Sequence, residues 1–178
     1  MVDSIFDPNV FHNFYNVILD NSTLSSGITS NPDDTITFTP EGSLSSSNWQ
    51  IYYQQGRYFI RNYDYGDRQL GITEDERSLP RMRPRSGALG QQWSFMKVEG
   101  SEGQWRISNG LLGNDTWFGL NMGNRDNKVP GMQVSSSGAV WDVRPNQDAG
   151  RVKGSLLLTD VEDFEVCLVV YMSAILLN

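Results

Sequence analysis

Trp49-Gln50-Ile51-Tyr52, Trp93-Ser94-Phe95-Met96 and Trp141-Asp142-Val143-Arg144 are three versions of one short run, 44 and 48 residues apart. In each, apolar and polar side chains alternate behind the tryptophan, the two-residue period of a half-buried β-strand. A second landmark recurs independently. Phe14-Tyr15-Asn16, Ile60-Arg61-Asn62 and Ile107-Ser108-Asn109 all read apolar-x-Asn, and each Asn stands 33, 31 and 32 residues before the next Trp. Between Asn and Trp come an apolar residue at Leu24, Leu70 or Phe118 and another at Phe38, Met82 or Met132. Four landmarks in one order, three times over, establish an internal triplication.

Each unit is long enough for about four short strands. In the second they are expected at Arg57 to Tyr63, Arg68 to Ile72, Leu79 to Arg83 and Gln92 to Val98, separated by turn-forming runs such as Tyr65-Gly66-Asp67 and Pro84-Arg85-Ser86-Gly87. No segment before residue 150 carries a 3.6-residue apolar period, so the body is expected to be all-β. A repeated unit covers its apolar edge only against its neighbours, and closing three into a ring leaves no exposed sheet edge. This places one domain at residues 5–145, with repeats near 8–53, 54–99 and 100–145, and leaves 146–178 as a divergent tail.

Composition narrows the function. The 178 residues are room for one ordinary domain, and 5 Trp, 7 Tyr and 8 Phe supply enough apolar surface to exclude wholesale disorder. A net charge of −7 argues against a nucleic-acid partner, which needs a dense basic surface. Cys167 is the only cysteine and His12 the only histidine, so no disulfide and no Cys- or His-rich metal centre is expected. His12 reads as structural, and no phosphate-cradling glycine loop or HExxH motif occurs. No cofactor, metal or catalytic residue is therefore expected, and the chain reads as a non-enzyme. The first residues lack the basic start and apolar run of a signal peptide, which favours a cytoplasmic or non-classically secreted protein. Two glycosylation-type triplets, Asn21-Ser22-Thr23 and Asn114-Asp115-Thr116, lean towards an extracellular one.

Three four-strand units that each end in a Trp-centred strand resemble a β-trefoil, and the chain is similar to the ricin-B-type lectins. Their hallmark is Gln-x-Trp, intact here as Gln91-Gln92-Trp93 and reduced to Ser47-Asn48-Trp49 and Ala139-Val140-Trp141 elsewhere. The second repeat resembles fungal members most. The resemblance implies non-catalytic carbohydrate binding, with an Asp after the Leu of the second strand and an aromatic before a Pro in the third forming each galactose-type site. Those positions carry Ser25, Gly71 and Gly119, and Thr39, Arg83 and Gln133, so the familiar sites lack their carboxylate and their ring.

Ligand binding is therefore expected elsewhere, at Tyr63, Asp64, Tyr65, Trp117 and Asn121. Alternation turns Phe118 and Leu120 inward and Trp117 and Gly119 outward, where Thr23 and Gln69 are the polar equivalents of Trp117. A flat ring near Asn121 suits a sugar face or a partner side chain. Alternatively, Trp117 folds back onto its own barrel. Tyr63-Asp64-Tyr65 offers rigid amphipathic rings and a carboxylate for paired hydroxyls, or simply a turn held by Asp–backbone bonds. Arg77, Arg81, Arg83 and Arg85 follow Glu74-Asp75-Glu76, so charge pairing across the turn is expected, with an anionic glycan as the alternative.

Val166 to Leu177 is twelve residues without a charge, too short to span a membrane, where about 20 are needed. It reads as an element docked on the barrel, the stub of an anchored protein, or an altered gene end, and it leaves membrane contact open. The expected partner is a glycan or a protein surface. The alternatives to a lectin are a protein-binding trefoil, such as a protease inhibitor, and the extracellular head of a membrane-anchored protein.

Overall fold

Each of the three tryptophans opens a strand, and each of the three asparagines closes one. A computed structural model describes residues 4–19, 22–26, 35–40, 44–121 and 129–151. The first repeat holds β1 (Val10–Asn16), β2 (Ser22–Ser25), β3 (Thr37–Pro40) and β4 (Trp49–Gln54). The second holds β5 (Arg57–Asn62), β6 (Arg68–Gly71), β7 (Arg81–Pro84) and β8 (Trp93–Lys97). The third holds β9 (Gln104–Asn109), β10 (Gly113–Leu120), β11 (Pro130–Gln133) and β12 (Trp141–Arg151). All four strands expected in the second repeat are present. The only helices among the described residues are single 3-10 turns at Ser45–Ser47 and Leu89–Gln91, each ending just before a Trp-led strand.

Pairing closes a six-stranded ring. β1 pairs with β4, β4 with β5, β5 with β8, β8 with β9, β9 with β12, and β12 returns to β1. The remaining strands form three antiparallel hairpins, β2–β3, β6–β7 and β10–β11, one per repeat. A six-stranded barrel with three hairpins in threefold array is a β-trefoil. The last strand overruns the boundary expected at residue 145: β12 continues to Arg151, and Val10 is opposite Arg151 across a register shift. The remainder of the expected tail, 152–178, lies outside the described residues.

The threefold landmarks are the core. Trp49, Trp93, Trp141, Phe14, Ile60, Ile107, Leu24, Leu70 and Phe118 are all completely buried, with Phe38, Met82 and Met132 packed around them. Phe118 stacks on Trp141 at 5.0 Å, and Phe14 meets Trp49 and Trp141 edge to face. Burying an indole also buries its N–H, which must find an acceptor. The solution is the same each time: Trp49 donates to the Leu24 carbonyl at 2.9 Å, Trp93 to Leu70 at 2.9 Å and Trp141 to Phe118 at 2.6 Å. Each tryptophan thereby ties its barrel strand to the hairpin of its own repeat.

The asparagines tie each repeat to the one before it. Asn62 Nδ2 donates to the Ser46 carbonyl, Asn109 to Gly90 and Asn16 to Gly138, at 2.8, 2.8 and 2.7 Å. The acceptor lies three residues before the Trp in every case. The same carbonyls take the backbone N–H of Ser26, Ile72 and Leu120, so each serves as the junction of two repeats. This circle of bonds is why apolar-x-Asn recurs in step with the tryptophans.

The degenerate Gln of the Trp motif also has a structural reading. Gln91 Oε1 accepts from the Ser86 and Gly87 N–H groups, and its Nε2 donates to the Pro84 carbonyl at 2.7 Å, which fixes the loop between β7 and β8. In the first repeat Ser47 fills this position and bonds Thr23 and Thr39 through its hydroxyl. In the third, Ala139 simply packs, fully buried.

Candidate functional site

The expected ligand residues fall into two groups that the fold keeps on different repeats. The first is the turn between β5 and β6. Tyr63 is 46% exposed, with its ring 5.1 Å from that of Phe11 on β1 and its N–H donating to the Asn48 carbonyl. Asp64 accepts a hydrogen bond from Ser45 at 3.0 Å, and its own N–H donates to Asn62 Oδ1 at 3.0 Å. The Asx-type turn expected here is therefore built by Asn62 rather than by an aspartate. Tyr65 differs from its two neighbours: it is half-buried, packs against the core cluster, and has the Arg68 guanidinium 5.9 Å from its ring centre. The tyrosine that presents a face to solvent here is Tyr63.

The second group lies on β10 and its surroundings. Trp117 pairs across the hairpin with Gln133, is half-buried, and stands outside the buried core cluster. Phe118 and Leu120, on the opposite strand face, are fully buried, so the expected alternation holds. Arg106 of β9 sets its guanidinium 6.0 Å from the centre of the Trp117 ring. Asn121, at the end of the strand, is exposed, and its backbone N–H donates to the Val129 carbonyl at 3.1 Å. Arg106 was not singled out from the sequence. Its signal was present, since Arg106 alternates with the buried Ile107 and must turn away from the core.

Two expectations about this face are overturned. Gly119 does not open outward beside Trp117: a β-carbon there would sit 2.4 Å from the Gly138 carbonyl oxygen, because the chain before β12 lies directly against it. Thr23 and Gln69, the polar equivalents of Trp117, are 2% and 0% exposed rather than solvent-facing. Thr23 bonds Ser47, and Gln69 Nε2 donates to the Tyr52 hydroxyl. Only the third repeat leaves this position partly open.

The positions of the familiar galactose carboxylate are closed as well. A β-carbon at Gly71 would meet the Gln91 side chain at 2.8 Å, and Ser25 is fully buried with its hydroxyl on Ser46. The charge pairing expected across the turn is present for Arg77, Arg81 and Arg83. Glu76 accepts from Arg83 and lies 3.2 Å from Arg81, and Glu74 pairs with Arg77. The Arg83 hydrogen bond holds the Glu76 carboxyl below its ordinary value.

His12 is buried, edge-on to Phe6 at 5.4 Å, and burial pushes its pKa down to about 4. Among the described residues no three His, Cys, Asp or Glu side chains converge as metal ligands would.

No protein-family model matches the chain, and no curated protein matches its sequence. Solved structures do match in three dimensions. A ricin B-like lectin from Macrolepiota procera, determined with lactose, superposes with a TM-score of 0.60 at 14% identity, over 80% of this chain and 100% of that one. The Polyporus squamosus lectin, bound to a sialylated influenza-binding epitope, gives 0.60 at 14% identity over 78% of this chain and 49% of that one. A mosquitocidal holotoxin gives 0.66 at 19% identity, but the chain spans only 18% of its length. A GlcNAcα1-4Gal-releasing endo-β-galactosidase from Clostridium perfringens and an exo-β-1,3-galactanase from Clostridium thermocellum match too, over about a third of each enzyme. What the chain shares with all of these is its fold, the β-trefoil used by ricin B-like lectins.

Proposed function

We propose that this trefoil is a non-catalytic recognition domain whose ligand is a carbohydrate, bound on the outer face of the third repeat around Trp117, Arg106 and Asn121. The observation that carries the reading is the position of Trp117. It is an indole on the solvent side of β10, outside the core cluster, at a position the other two repeats fill with a buried polar residue. The negative face of an indole attracts the polarised C–H groups of a sugar ring, and the Arg106 guanidinium, over the ring at 6.0 Å from its centre, carries several donors for hydroxyls or a carboxylate. Tyr63 and Asp64 form a second, smaller candidate surface at the β5–β6 turn. The lectins of like fold that were solved with lactose and with a sialylated glycan support sugar as the ligand class.

The test is a glycan array probed with the full chain and with Trp117→Ala. A hit competed away by free sugar, and lost in the variant while the circular dichroism spectrum is kept, is the expected result. A variant that binds like the parent refutes the site.

A second reading, protein recognition by loops held on a rigid barrel, is favoured by the closed backbone at Gly71 and Gly119. Exposed apolar loop residues such as Leu44 and Leu89 also favour it, at 51% and 56% exposure. Stoichiometric inhibition of a serine or cysteine protease would support this alternative, and its absence across a panel would sink the inhibitor form of it.

A further inference from the structure

The threefold repeat supplies an internal control for the outer face of the barrel. Tyr52 is opposite Phe59 across β4–β5, Met96 opposite Arg106 across β8–β9, and Arg144 opposite Asn13 across β12–β1. The three pairs are equivalent. Tyr52, Met96 and Arg144 each stand three residues after the Trp that opens their strand, and Phe59, Arg106 and Asn13 three before the Asn that closes theirs. All six alternate with core residues and so point away from the barrel axis. In two pairs the outward position is open: Met96 is 47% exposed, Arg144 is exposed, and Arg106 and Asn13 are half-buried. In the third both positions are sealed, Tyr52 at 5% exposure and Phe59 at 0%, with their rings stacked at 5.4 Å.

The sealed patch extends to either side. Phe11 of β1, beside Gln50 of β4, is 1% exposed, and Arg61 of β5 is completely buried with its guanidinium 4.8 Å from the centre of the Tyr52 ring. Among the described elements, those packed most closely on β4 and β5 are β1, β6 and β8, which flank them in the sheet. Burial of an outward face calls for a further layer over it.

The chain itself holds a segment of matching chemistry. β12 ends at Arg151, opposite Val10 on β1, and β1 pairs with β4. The 27 residues from Val152 to Asn178 therefore start one strand away from the patch, and adjacent strands are only about 5 Å apart. Extended, 27 residues reach up to about 90 Å, so the span is easily bridged. Their composition fits as well. Asp160, Glu162, Asp163 and Glu165 suit a face that carries the buried Arg61 and, at its edge, the exposed Arg57. The twelve uncharged residues from Val166 to Leu177 suit the rings of Phe11, Tyr52 and Phe59, and left in water they would be an aggregation hazard.

We propose that the C-terminal segment 152–178 docks in cis on the outer face of β4–β5, its apolar run over Phe11, Tyr52 and Phe59 and its acidic cluster towards Arg61 and Arg57. This inference is independent of the sugar site.

Cys167 is the only cysteine of the chain and lies inside the apolar run, so a nitroxide label there reports where the segment sits in the full-length protein. The amide NMR signals of Tyr52 and Phe59 are expected to broaden, while those of Met96 and Arg106, on the equivalent open face, stay sharp. Broadening centred on another face, or none, would overturn the proposal. So would broadening that persists undiminished when spin label and isotope label are carried by different chains, since the cover would then be a second copy.

The thiol gives an independent readout. Cys167 is expected to react with a water-soluble disulfide reagent at least about tenfold more slowly than in the urea-unfolded chain, because a covered thiol reacts only when its segment opens. Tyr52→Glu is expected to restore fast reaction, and Met96→Glu to leave it slow. If Tyr52→Glu does not fold, Glu162→Lys combined with Asp163→Lys and Glu165→Lys leaves the barrel untouched and is expected to have the same effect. A thiol that reacts at the unfolded rate in the parent, stays protected in both Tyr52→Glu and the tail variant, or is released equally by Met96→Glu would overturn the proposal.

Discussion

Replacing the junction asparagines one at a time tests whether they close the ring. Asn62 makes three side-chain hydrogen bonds: Nδ2 to the Ser46 carbonyl, and Oδ1 from the Asp64 N–H and the Ser26 hydroxyl at 3.0 and 2.9 Å. Asn109 makes two, to Gly90 and from the Leu111 N–H, and Asn16 likewise makes two, to Gly138 and from the Ile18 N–H. All three are essentially buried, at 0–2% exposure. The carbonyls themselves keep a backbone partner after truncation, so the cost comes from the lost bonds and from the donors left behind. At about 1 kcal/mol per bond, plus about 1–3 kcal/mol for orphaning the buried Ser26 hydroxyl, Asn62→Ala should cost about 4–6 kcal/mol. Asn109→Ala and Asn16→Ala should cost about 2–3 kcal/mol each. Urea unfolding followed by circular dichroism measures this directly, with the midpoint falling and the slope unchanged. A cost below about 1 kcal/mol for Asn62→Ala, or no difference between Asn62 and Asn109, would refute the ring-closure account.

Other consequences follow from single contacts. Trp141→Ala removes a fully buried indole and its bond to Phe118 and should cost about 3–5 kcal/mol by thermal or chemical unfolding, whereas Trp117→Ala, outside the core, should cost far less. Gly119→Asp should destabilise severely and gain no galactose binding, because even a β-carbon there collides with Gly138; a folded variant that binds lactose would contradict the closed geometry. His12 should make stability fall as pH drops from its unfolded value of 6.5 towards its folded value of about 4, because only the unfolded chain takes up the proton in that window. The loss attributable to it is about 3 kcal/mol, read as the difference in pH profile between the parent and His12→Phe, and identical profiles would refute it. Glu76→Gln should weaken the pairing with Arg81 and Arg83, and this difference from the parent should vanish once pH falls low enough to protonate Glu76.

Most of the architecture was legible in the residues because it is repeated. A tryptophan that must bury its ring and satisfy its N–H, and an asparagine that must bridge two repeats, can each be met only at fixed places in the unit. Their spacing therefore reports the ring directly, and the strands of the second repeat could be read to within about two residues. The outward position of Trp117 was legible for the same reason, since it follows from two-residue alternation within one strand. What lies on the outside of the barrel was not legible. Thr23 and Gln69 share the Trp117 position yet are buried and bonded to Ser47, in the 3-10 turn before β4, and to Tyr52, on β4 itself. Tyr65 turns onto the core while Tyr63, two residues away, stays in solvent. Gly119 is sealed by a carbonyl nineteen residues further on, and Arg106 reaches Trp117 from the neighbouring strand. Alternation and spacing fix which face a side chain takes, but only the packing of one strand or repeat against another decides whether that face is open.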